Sequence, residues 1–418
     1  MTAPDPRHAA EVVWRIESAN VVAVASRVVG DVGLGEEIAQ DAFVVALEKW
    51  PVQGVPPNPA GWLVTTARHL AVDLVRRRST YARKLAEVGR DLSDAPGPDD
   101  VSDLDDHIGD DLLRLVFTTC HPVLTTESRV ALTLRLLGGL TTAEVARGLL
   151  IPEPTAAQRI SRAKRTLAER GVPLDLPRPQ DMPDRLPSVL EVVYLVFNEG
   201  YSATSGDDWT RPELCHEALR LARLLVSLLP DEPEVLALDA LLELQASRLA
   251  ARVDSSGTPI GLLDQDRTRW DHLLVRRGTA ALGSAVALGG PAGPGPYALQ
   301  AGIAACHAMA PTAGETDWAQ IVHLYAALAG VSPSPVVELN RALAVGMAGD
   351  PAAGIAILDD LRDSPGLRGY AQLPAARGHL LERLGRADEA RAEFRSAAGL
   401  TRNAGERAMF ERRAAALR

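Results

Sequence analysis

The feature that most constrains the fold of this chain is the stretch 140–170, LTTAEVARGLLIPEPTAAQRISRAKRTLAER. Thr141 followed three residues later by Glu144 forms a capping box, which begins a short helix. Pro152 cannot continue that helix, so we expect a second helix to begin at Thr155. The stretch therefore predicts a helix-turn-helix.

The second predicted helix has an apolar side and a cationic side. Its apolar residues recur with helical spacing, at Ala156, Ile160, Ala163 and Leu167. The opposite side carries residues of the types that read base edges and bind phosphates in a DNA major groove, namely Thr155, Gln158, Arg159, Arg162 and Arg165. Residues 155–170 hold five Arg or Lys and one acid, in a chain whose net charge is −10. The pattern favours DNA binding, and a helical hairpin with a solvated basic face is the alternative.

The composition indicates an all-α protein of two or three domains. Apolar residues make up 46% of the 418 residues, which is enough for sizeable cores, and strand-like alternation is scarce. The three cysteines lie far apart without a CxxC pair, and this favours reduced thiols. There is no signal-peptide core and no apolar run of membrane-spanning length, so we expect a cytoplasmic protein without a membrane partner.

The segment 35–50 is predicted to form an amphipathic helix with an acidic side. Its apolar residues are Ala39, Phe43, Ala46 and Trp50. Its polar side carries Glu36, Glu37, Gln40, Asp41 and Glu48. An acidic stripe of this kind is usually solvated surface, and otherwise it docks a basic partner.

The segment 58–84 is a second basic region, with six Arg or Lys and one acid. Its expected buried residues are Leu63, Ala67, Leu70 and Leu74. The adjoining face presents Trp62, Thr66, His69, Asp73 and Arg76. An aromatic ring followed by cationic groups suits a nucleic-acid strand with unstacked bases, because the ring can receive a base while the arginines hold phosphates. The alternative is a core tryptophan with arginines whose stems only cover apolar surface.

The charge reverses between the two basic regions. Residues 91–111 contain nine aspartates and no Lys or Arg, with Pro96, Gly97 and Pro98 among them. This composition predicts a flexible acidic linker instead of a packed element. We assign the linker to residues 85–111, between one helical domain at 9–84 and another at 112–172.

Two helical DNA-contacting units joined by an acidic tether resemble the two conserved domains of the extracytoplasmic-function sigma factors of the sigma-70 family. The resemblance covers residues 9 to about 172. Residues 35–43 (GEEIAQDAF) look like the region-2 helix that docks on the clamp of the RNA polymerase β′ subunit. The resemblance implies two partners, promoter DNA and the RNA polymerase core with its β′ clamp and β flap. It also implies polymerase contacts from Glu36, Glu37, Gln40 and Asp41.

The same resemblance implies a site for each promoter element. Residues 58–73 look like the segment that recognises and opens the −10 element, which implies contacts from Asn58, Trp62, Thr66, Arg68, His69, Asp73, Arg76 and Arg77. Residues 139–167 look like region 4, which reads the −35 element, and this implies contacts from Thr142, Thr155, Gln158, Arg159, Arg162, Lys164 and Arg165. His69 stands where the family commonly has Asn, and 156–157 is Ala–Ala where Val–Lys is usual. These departures concern which bases the two DNA-contacting segments prefer, and not the role that the resemblance implies for them.

The chain continues from residue 181 to residue 418, well beyond the end of a minimal sigma factor. Two stretches near its end correspond at a period of 36, with Gly349, Gly354, Leu358 and Leu361 matching Gly385, Ala390, Phe394 and Ala397. The segment GRADEARAEFRSAA is close to the second helix of a tetratricopeptide repeat, and such repeats stack into a concave interaction surface. The chain thus resembles a sigma-factor subgroup with a long tetratricopeptide-like extension. This implies an α-solenoid at 181–418 that regulates the sigma unit in cis.

Polar and aromatic residues cluster at three places in the extension, at 197–209, at 263–270 and around Trp318. The candidate interaction residues are Asn198, Glu199, Tyr201, Trp209, Asp264, Asp266, Arg267 and Trp270. Such residues either hold helices together as a buried network or line a pocket for a signalling protein or a ligand.

The sequence contains no recognisable catalytic or cofactor site. His216 and Glu217 begin like the zinc motif HExxH, but residue 220 is Arg. There is no nucleophile elbow and no Walker motif, and Cys120–His121 lacks further ligands at metal spacing. We therefore predict a sigma factor that is not an enzyme and has no cofactor or metal. A helix-turn-helix transcriptional regulator, or a scaffold, that works without polymerase is the alternative.

Overall fold

The computed structural model describes residues 5–87, 108–149, 151–202, 209–254, 258–290 and 293–417. Within these ranges the chain forms eighteen α-helices and no β-strand, with one isolated bridge between Val253 and Pro259. The all-α prediction is therefore confirmed. In this part of the chain no helix is both long and apolar enough to cross a membrane.

The chain divides into two compact units, residues 1–192 and residues 193–418. The helices of the first unit are α1 (Pro6–Val29), α2 (Val32–Gln53), α3 (Pro59–Glu87), α4 (Ile108–Thr119), α5 (Thr126–Leu136), α6 (Thr142–Gly148), α7 (Glu153–Glu169) and the first part of α8 (Met182–Tyr201). The second unit follows with α9 (Pro212–Leu228), α10 (Pro233–Ala246), α11 (His272–Leu288), α12 (Pro296–Met309), α13 (Trp318–Val331), α14 (Pro335–Met347), α15 (Pro351–Asp360), α16 (Gln372–Arg383), α17 (Ala387–Leu400) and α18 (Ala404–Ala416).

Small residues allow α1 and α2 to approach each other closely. Gly30 ends α1 in the left-handed region at φ 72°, and the Asp31 side chain caps α2 by accepting from the Leu34 amide at 2.8 Å. A Cβ on Gly35 would lie 2.6 Å from the Ser26 backbone, so only glycine fits this helix crossing. The reversal of the chain and the close crossing together position the N-terminal part of α2.

The helices α4 to α7 form the second part of the first unit, and the beginning of α8 packs on them. Arg185 donates to the Phe117 carbonyl oxygen at 2.8 Å, and the Ser188 hydroxyl donates to the Cys120 carbonyl oxygen at 2.6 Å. These two carbonyls lie at the carboxyl end of α4, where the last turn of a helix leaves its oxygens without partners inside the helix. The start of the C-terminal extension is therefore attached to α4.

The ends of the predicted acidic linker differ from the observed structure. The helix α3 continues to Glu87, and α4 already begins at Ile108, so Asp110 and Asp111 belong to a helix. Asp111 is buried and accepts hydrogen bonds from Arg27 of α1 at 2.7 Å and from Arg114 at 3.2 Å. The ion pair between Arg27 and the buried Asp111 explains why the last residues of the acidic run fold instead of remaining linker. Residues 88–107 lie outside the described residues.

The repeat at a period of 36 corresponds to two successive helix pairs in the second unit, α14–α15 and α16–α17. Gly349 and Gly385 occupy equivalent turns between the paired helices, and both have positive φ, 125° and 72°. A Cβ on Gly354 would lie 2.7 Å from the Ala342 carbonyl oxygen, so α14 and α15 touch through small residues. Leu358 of the first pair and Phe394 at the corresponding place in the next pair are both buried in one hydrophobic core. The tetratricopeptide assignment itself stays a prediction.

Candidate nucleic-acid interface

The helix-turn-helix is formed by α6 and α7, and both capping-box hydrogen bonds are present. The Glu144 amide donates to the Thr141 hydroxyl at 3.2 Å, and the Thr141 amide donates to the Glu144 carboxylate at 2.8 Å. The backbone hydrogen bond from Thr141 is the main reason why the pKa of Glu144 lies below its ordinary value. The second helix begins at Glu153, two residues before the predicted start, because a proline is well suited to the first turn of a helix.

The two sides of α7 are arranged as the sequence predicts. All four predicted seam residues are buried, namely Ala156, Ile160, Ala163 and Leu167. On the other side Gln158, Arg162 and Arg165 are exposed, whereas Thr155 and Arg159 are half-buried. Thr142, at the start of α6, is also half-buried. The packed seam fixes the helix and leaves donor groups accessible for base edges and phosphates.

Two of the arginines on α7 lie near acidic side chains. Arg159 contributes to the lowered pKa of Glu127, although the hydrogen bonds from the Glu127 backbone and from Thr125 are the larger causes. Arg165 lies 3.7 Å from the Glu169 carboxylate in an ion pair that is exposed on both sides. An exposed ion pair of this kind stabilises by less than about 1 kcal/mol. Arg165 can therefore leave Glu169 and bind a phosphate.

Lys164 and Glu36 form a contact that the sequence did not predict. The Lys164 ammonium donates to the Glu36 carboxylate, and Arg135 binds the same carboxylate at 2.6 Å. Glu36 is only 6% exposed, so its prediction as part of an exposed acidic stripe is wrong, while Glu37, Gln40 and Asp41 are exposed. The physical reason is that two cations from α5 and α7 compensate the charge of Glu36 and allow it to be buried.

A cleft of about 300 Å³ borders this ion pair. Trp14 and Phe43, whose rings stack with centroids 4.9 Å apart, form its apolar side. Glu36, Arg135 and Thr141 lie on its polar side. The cleft thus lies between α1 and α2 on one side and the region from α5 to α6 on the other.

The predicted −10 face lies along the first five turns of α3. At its start the Asn58 side chain accepts a hydrogen bond from the Gly61 amide at 2.9 Å, which is a helix-capping role. Trp62 is half-buried, and its ring meets the buried Trp50 edge-on with centroids 5.6 Å apart. The Thr66 hydroxyl donates to the Trp62 carbonyl oxygen at 2.8 Å and therefore serves the helix itself. Part of the Trp62 ring nevertheless remains open to solvent.

The remaining residues of this face are mostly solvent-accessible. His69, Asp73, Arg76 and Arg77 are exposed, and Arg68 is half-buried. Leu63 and Ala67 are buried as predicted, but Leu70 and Leu74 are only half-buried. Val64 and Ala71 complete the buried side instead. The arrangement can present a ring and several cationic groups to one strand of nucleic acid.

The predicted interaction cluster of the extension is brought together only in part. Tyr201 stacks on Phe197 with centroids 5.4 Å apart, and Trp270 is 4% exposed. Asn198 and Trp209 are half-buried, and Glu199 forms an ion pair with Arg211 at 2.7 Å. Asp264 and Asp266 are exposed, and Asp266 caps the short turn that holds Arg267 by accepting from the Thr268 amide. The two aspartates are thus separate from the aromatic core of the cluster.

Two residues of this cluster were missed by the sequence analysis, Arg248 and Arg252. They follow directly after α10 and lie against the rings of Tyr201, Trp209 and Trp270. Their spacing of four residues was the available signal, but arginines at that spacing are common on exposed helices. The described residues contain no group of three His, Cys, Asp or Glu able to hold a metal, and Arg220 pairs with Glu217 at 2.7 Å.

Comparison with known families assigns both halves of the first unit. The chain matches sigma-70 region 2 over residues 16–81 and sigma-70 region 4 over residues 114–167. Residues 185–286 match a family of unknown function (DUF6596). The first match covers most of α3, the second covers α6 and most of α7, and the third begins inside α8 and contains both missed arginines.

Individual relatives agree with this assignment. An uncharacterised protein of Rhizobium meliloti is 43% identical over 378 residues, which are 90% of this chain and 88% of that protein. The ECF RNA polymerase sigma factor SigL of Mycobacterium tuberculosis is 32% identical over 170 residues, 40% of this chain and 87% of that protein. The probable ECF RNA polymerase sigma factor SigI of the same species is 28% identical over 172 residues, 41% of this chain and 58% of that protein. The chain therefore belongs to the sigma-70 family of RNA polymerase sigma factors, in the extracytoplasmic-function group, and carries a helical extension beyond region 4.

Proposed function

We propose that this sigma factor directs the RNA polymerase core to a specific set of promoters, and that its extension regulates this activity in cis. Sigma factors are transcription initiation factors and not enzymes, and regions 2 and 4 imply the polymerase core and promoter DNA as partners. The observation that carries the proposal is that one compact unit has exposed cationic side chains on two different helices, α3 and α7.

The −35 element is assigned to the exposed side of α7. Gln158 and Arg162 can reach base edges in a major groove, and Arg165 can bind a phosphate. Thr142, Thr155 and Arg159 complete the proposed face from less exposed positions. A helix with a fully buried seam and an exposed donor-rich side is the geometry that direct readout requires.

The −10 element is assigned to α3. Trp62 offers a half-buried ring that packs in a T-shaped arrangement with Trp50, and His69, Arg76 and Arg77 follow on the exposed surface. Such a surface binds unpaired bases better than duplex DNA, because a base has to leave its stack to meet the ring. In this proposal Glu37, Gln40 and Asp41 on α2 contact the β′ clamp, and α7 approaches the β flap.

Regulation in cis is supported by the way in which the extension begins. Arg129 of α5 donates to the Ser188 hydroxyl and forms an ion pair with Glu191 at 3.1 Å, so the first turns of α8 are bound to the helix that supports α7. A change at the start of the extension can therefore act directly on the −35 module. The stacked helix pairs of a tetratricopeptide-like domain would supply the surface for a signalling protein or a ligand.

Run-off transcription with core polymerase on a randomised promoter library tests the proposal. The full chain is compared with a truncation after Val192, which retains the hydrogen bonds of Arg185 and Ser188 to α4. A truncation after residue 175 would remove both and expose the surface that they cover. We expect promoter-dependent initiation from the full chain, and a changed level from the truncated chain. A higher level means inhibition by the extension, and a lower level means that the extension is required.

Absence of initiation with both proteins would contradict the proposal and favour a regulator that uses only the helix-turn-helix. Full-length Arg129→Gln tests the attachment of α8 without truncation, with Arg178→Gln as the matched control because Arg178 is 71% exposed. Equal activity of these two variants would place the regulatory contact elsewhere in the extension.

A further inference from the structure

Three arginines meet in the second unit and lie against aromatic rings. Arg248 and Arg252 are 9% and 8% exposed, and Arg267 is half-buried. The Arg252 guanidinium lies 3.6 Å from the centroid of the Tyr201 ring, and the Arg267 guanidinium lies 4.8 Å from that of Trp270. Arg248 stands between both rings, 5.7 Å from each. We call these three residues the arginine cluster.

The hydrogen-bond acceptors of the arginine cluster are neutral. Arg252 donates to the Tyr201 carbonyl oxygen at 2.9 Å, at the end of α8. Arg267 donates to the carbonyl oxygens of His307 and, at 2.7 Å, Ala310, at the end of α12. Arg248 donates to the side-chain oxygen of Gln245. Two helix carboxyl ends supply roughly half a negative charge each, about one in total against three positive charges.

Carboxylates do not supply the negative charge that the two helix ends leave missing. Among the residues that the structure describes, none of the three arginines forms an ion pair. The acid that acts on Arg267 is Glu315, which is exposed and accepts a hydrogen bond from Thr312. A buried cation that has no opposite charge nearby is unfavourable even when neutral groups accept its hydrogen bonds, so a cluster of this kind calls for a counter-charge.

The surrounding groups show the same excess of positive charge. Burial lowers the pKa of Arg248, Tyr201 raises it, and the nearby Arg252 and Arg267 lower it further. Burial, together with Arg248 and Arg267, lowers the pKa of His307 to about 3, so this imidazole stays neutral beside the cluster. Burial is the larger cause, and the additional effect of the two arginines shows that their positive charge reaches His307.

The unused hydrogen-bonding groups around the cluster are mainly donors. The buried donors without a partner are Arg252 Nε, Arg267 Nε and Trp270 Nε1, and Gln265 Oε1 and His307 Nδ1 are also without a partner. Buried polar atoms are nearly always satisfied in folded proteins, so unused donors around cations indicate a missing acceptor. Oxygens of an anion would satisfy them with charge-assisted hydrogen bonds.

We propose that the arginine cluster is a binding site for a small ligand that carries an oxyanion, a phosphate or a carboxylate group. Tyr201, Trp209 and Arg267 are each half-buried, and in this proposal the ligand reaches the arginines past these three residues. The site belongs to the extension, so binding at it is tested on the full chain without polymerase or DNA, and the result does not depend on the proposed promoter recognition.

Calorimetric titration and thermal unfolding with three probes at constant ionic strength test the proposal. The probes are inorganic phosphate, pyrophosphate and citrate, with chloride as the control for screening. We expect saturable binding, and a rise in Tm that follows the occupancy of the site. The ratio of the Kd values for pyrophosphate and citrate distinguishes a phosphate ligand from a carboxylate ligand. No saturable response to any of the three probes would overturn the proposal.

Arg252→Gln should weaken binding by about 10- to 100-fold, since it removes charge-assisted hydrogen bonds. Arg269→Gln is the matched control, because Arg269 is exposed and close in sequence to Arg267. If Arg252→Gln does not fold, Trp270→Phe removes one donor and keeps a ring in the core, and it should still weaken binding. Equal affinity of the wild type and all folded cluster variants would mean an adventitious ion only, and would overturn the proposal.

Asp207 and Asp208 lie outside the described residues. The double variant D207N/D208N shows whether they supply the counter-charge themselves. We expect it to bind the probes as the wild type does. Binding by the double variant together with no binding by the wild type would mean that the chain neutralises its own arginines, and this result also overturns the proposal.

Discussion

Glu36 on α2 and Arg135 on α5 form an ion pair at 2.6 Å across 99 residues of sequence. Lys164 on α7 binds the other oxygen of the same carboxylate. The family resemblance implies that Glu36 contacts the polymerase and that Lys164 contacts promoter DNA. In this structure the two side chains bind each other instead. We therefore expect α2 and α7 to separate before either residue takes up its role in transcription.

Glu36→Gln should raise the affinity of the free protein for duplex DNA. The change releases the Lys164 ammonium, and one additional phosphate contact steepens the dependence of log K on log salt by about 1. It should also lower the free energy of unfolding by about 2 kcal/mol, because a buried charge-assisted contact is lost. Fluorescence anisotropy over a salt series and urea unfolding measure the two effects.

The double variant Glu36→Gln with Lys164→Ala should lose the gain in DNA affinity. Glu48→Gln is the matched control, because it removes an exposed acid from the same helix. An unchanged salt dependence in Glu36→Gln would show that the contact with Glu36 does not restrain Lys164.

Arg162→Ala should weaken binding to a selected −35 element by about 1–3 kcal/mol if its guanidinium contacts a base. Arg162 is exposed on α7 and lies opposite the buried seam, so its loss leaves the fold intact. Anisotropy with selected and scrambled duplexes gives the specific part of the loss. Arg170→Ala, at the exposed end of α7, should weaken both duplexes equally. If Arg162→Ala weakens binding to the selected and the scrambled duplex equally, Arg162 contacts a phosphate and not a base.

Trp62→Ala should impair promoter opening and leave duplex −35 binding unchanged. The ring is half-buried and meets Trp50 edge-on, so its removal takes away a stacking surface for an unpaired base. Permanganate reactivity of promoter thymines with core polymerase measures the opening. Trp62→Phe keeps a ring against Trp50, and it should retain most of the opening and the same Tm as the wild type. Normal opening in a folded Trp62→Ala variant would remove Trp62 from the site.

Asp239 makes the stability of the second unit dependent on pH. Burial, and then the nearby Glu243, raise the pKa of Asp239 from 3.8 to about 6. The folded chain therefore holds this proton more tightly than the unfolded chain, and the resulting stability is present below about pH 4 and is lost as the pH rises through 6. A shift of two pKa units corresponds to about 3 kcal/mol.

Asp239→Asn should thus stabilise the protein at pH 7.5 by up to about 3 kcal/mol and have little effect near pH 4. Urea unfolding at both pH values measures the difference. Asp231→Asn is the control, because Asp231 is exposed. The same effect of Asp239→Asn at both pH values would show that the carboxyl group does not titrate between them.

Local sequence determined the helix-turn-helix. The Thr141–Glu144 capping box and the four-residue seam of α7 depend on spacing along one helix, so both could be predicted and both are confirmed. The start of α7 was predicted two residues late, because Pro154 fits the first turn of α7 instead of preceding it. The fold class likewise followed from helical periodicity throughout the chain.

The partners of charged residues could not be predicted in the same way. Periodicity places Glu36 on the polar side of α2, but its burial depends on Arg135 and Lys164, which lie 99 and 128 residues further along the chain. The last residues of the acidic run behave similarly, because Asp111 folds against Arg27 across 84 residues.

The arginine cluster shows the same division between local and tertiary information. The sequence identified Tyr201, Arg267 and Trp270 as polar–aromatic residues, but it could not show that Arg248 and Arg252 meet them. Those contacts exist because the ends of α8, α10 and α12 converge, and convergence of helix ends is set by packing of distant segments. The sequence by itself determined which helices form and which families they resemble, because these depend on neighbours in the chain. Only the tertiary structure decided which charges are paired and which are left without a partner, because charge pairing depends on distance in space.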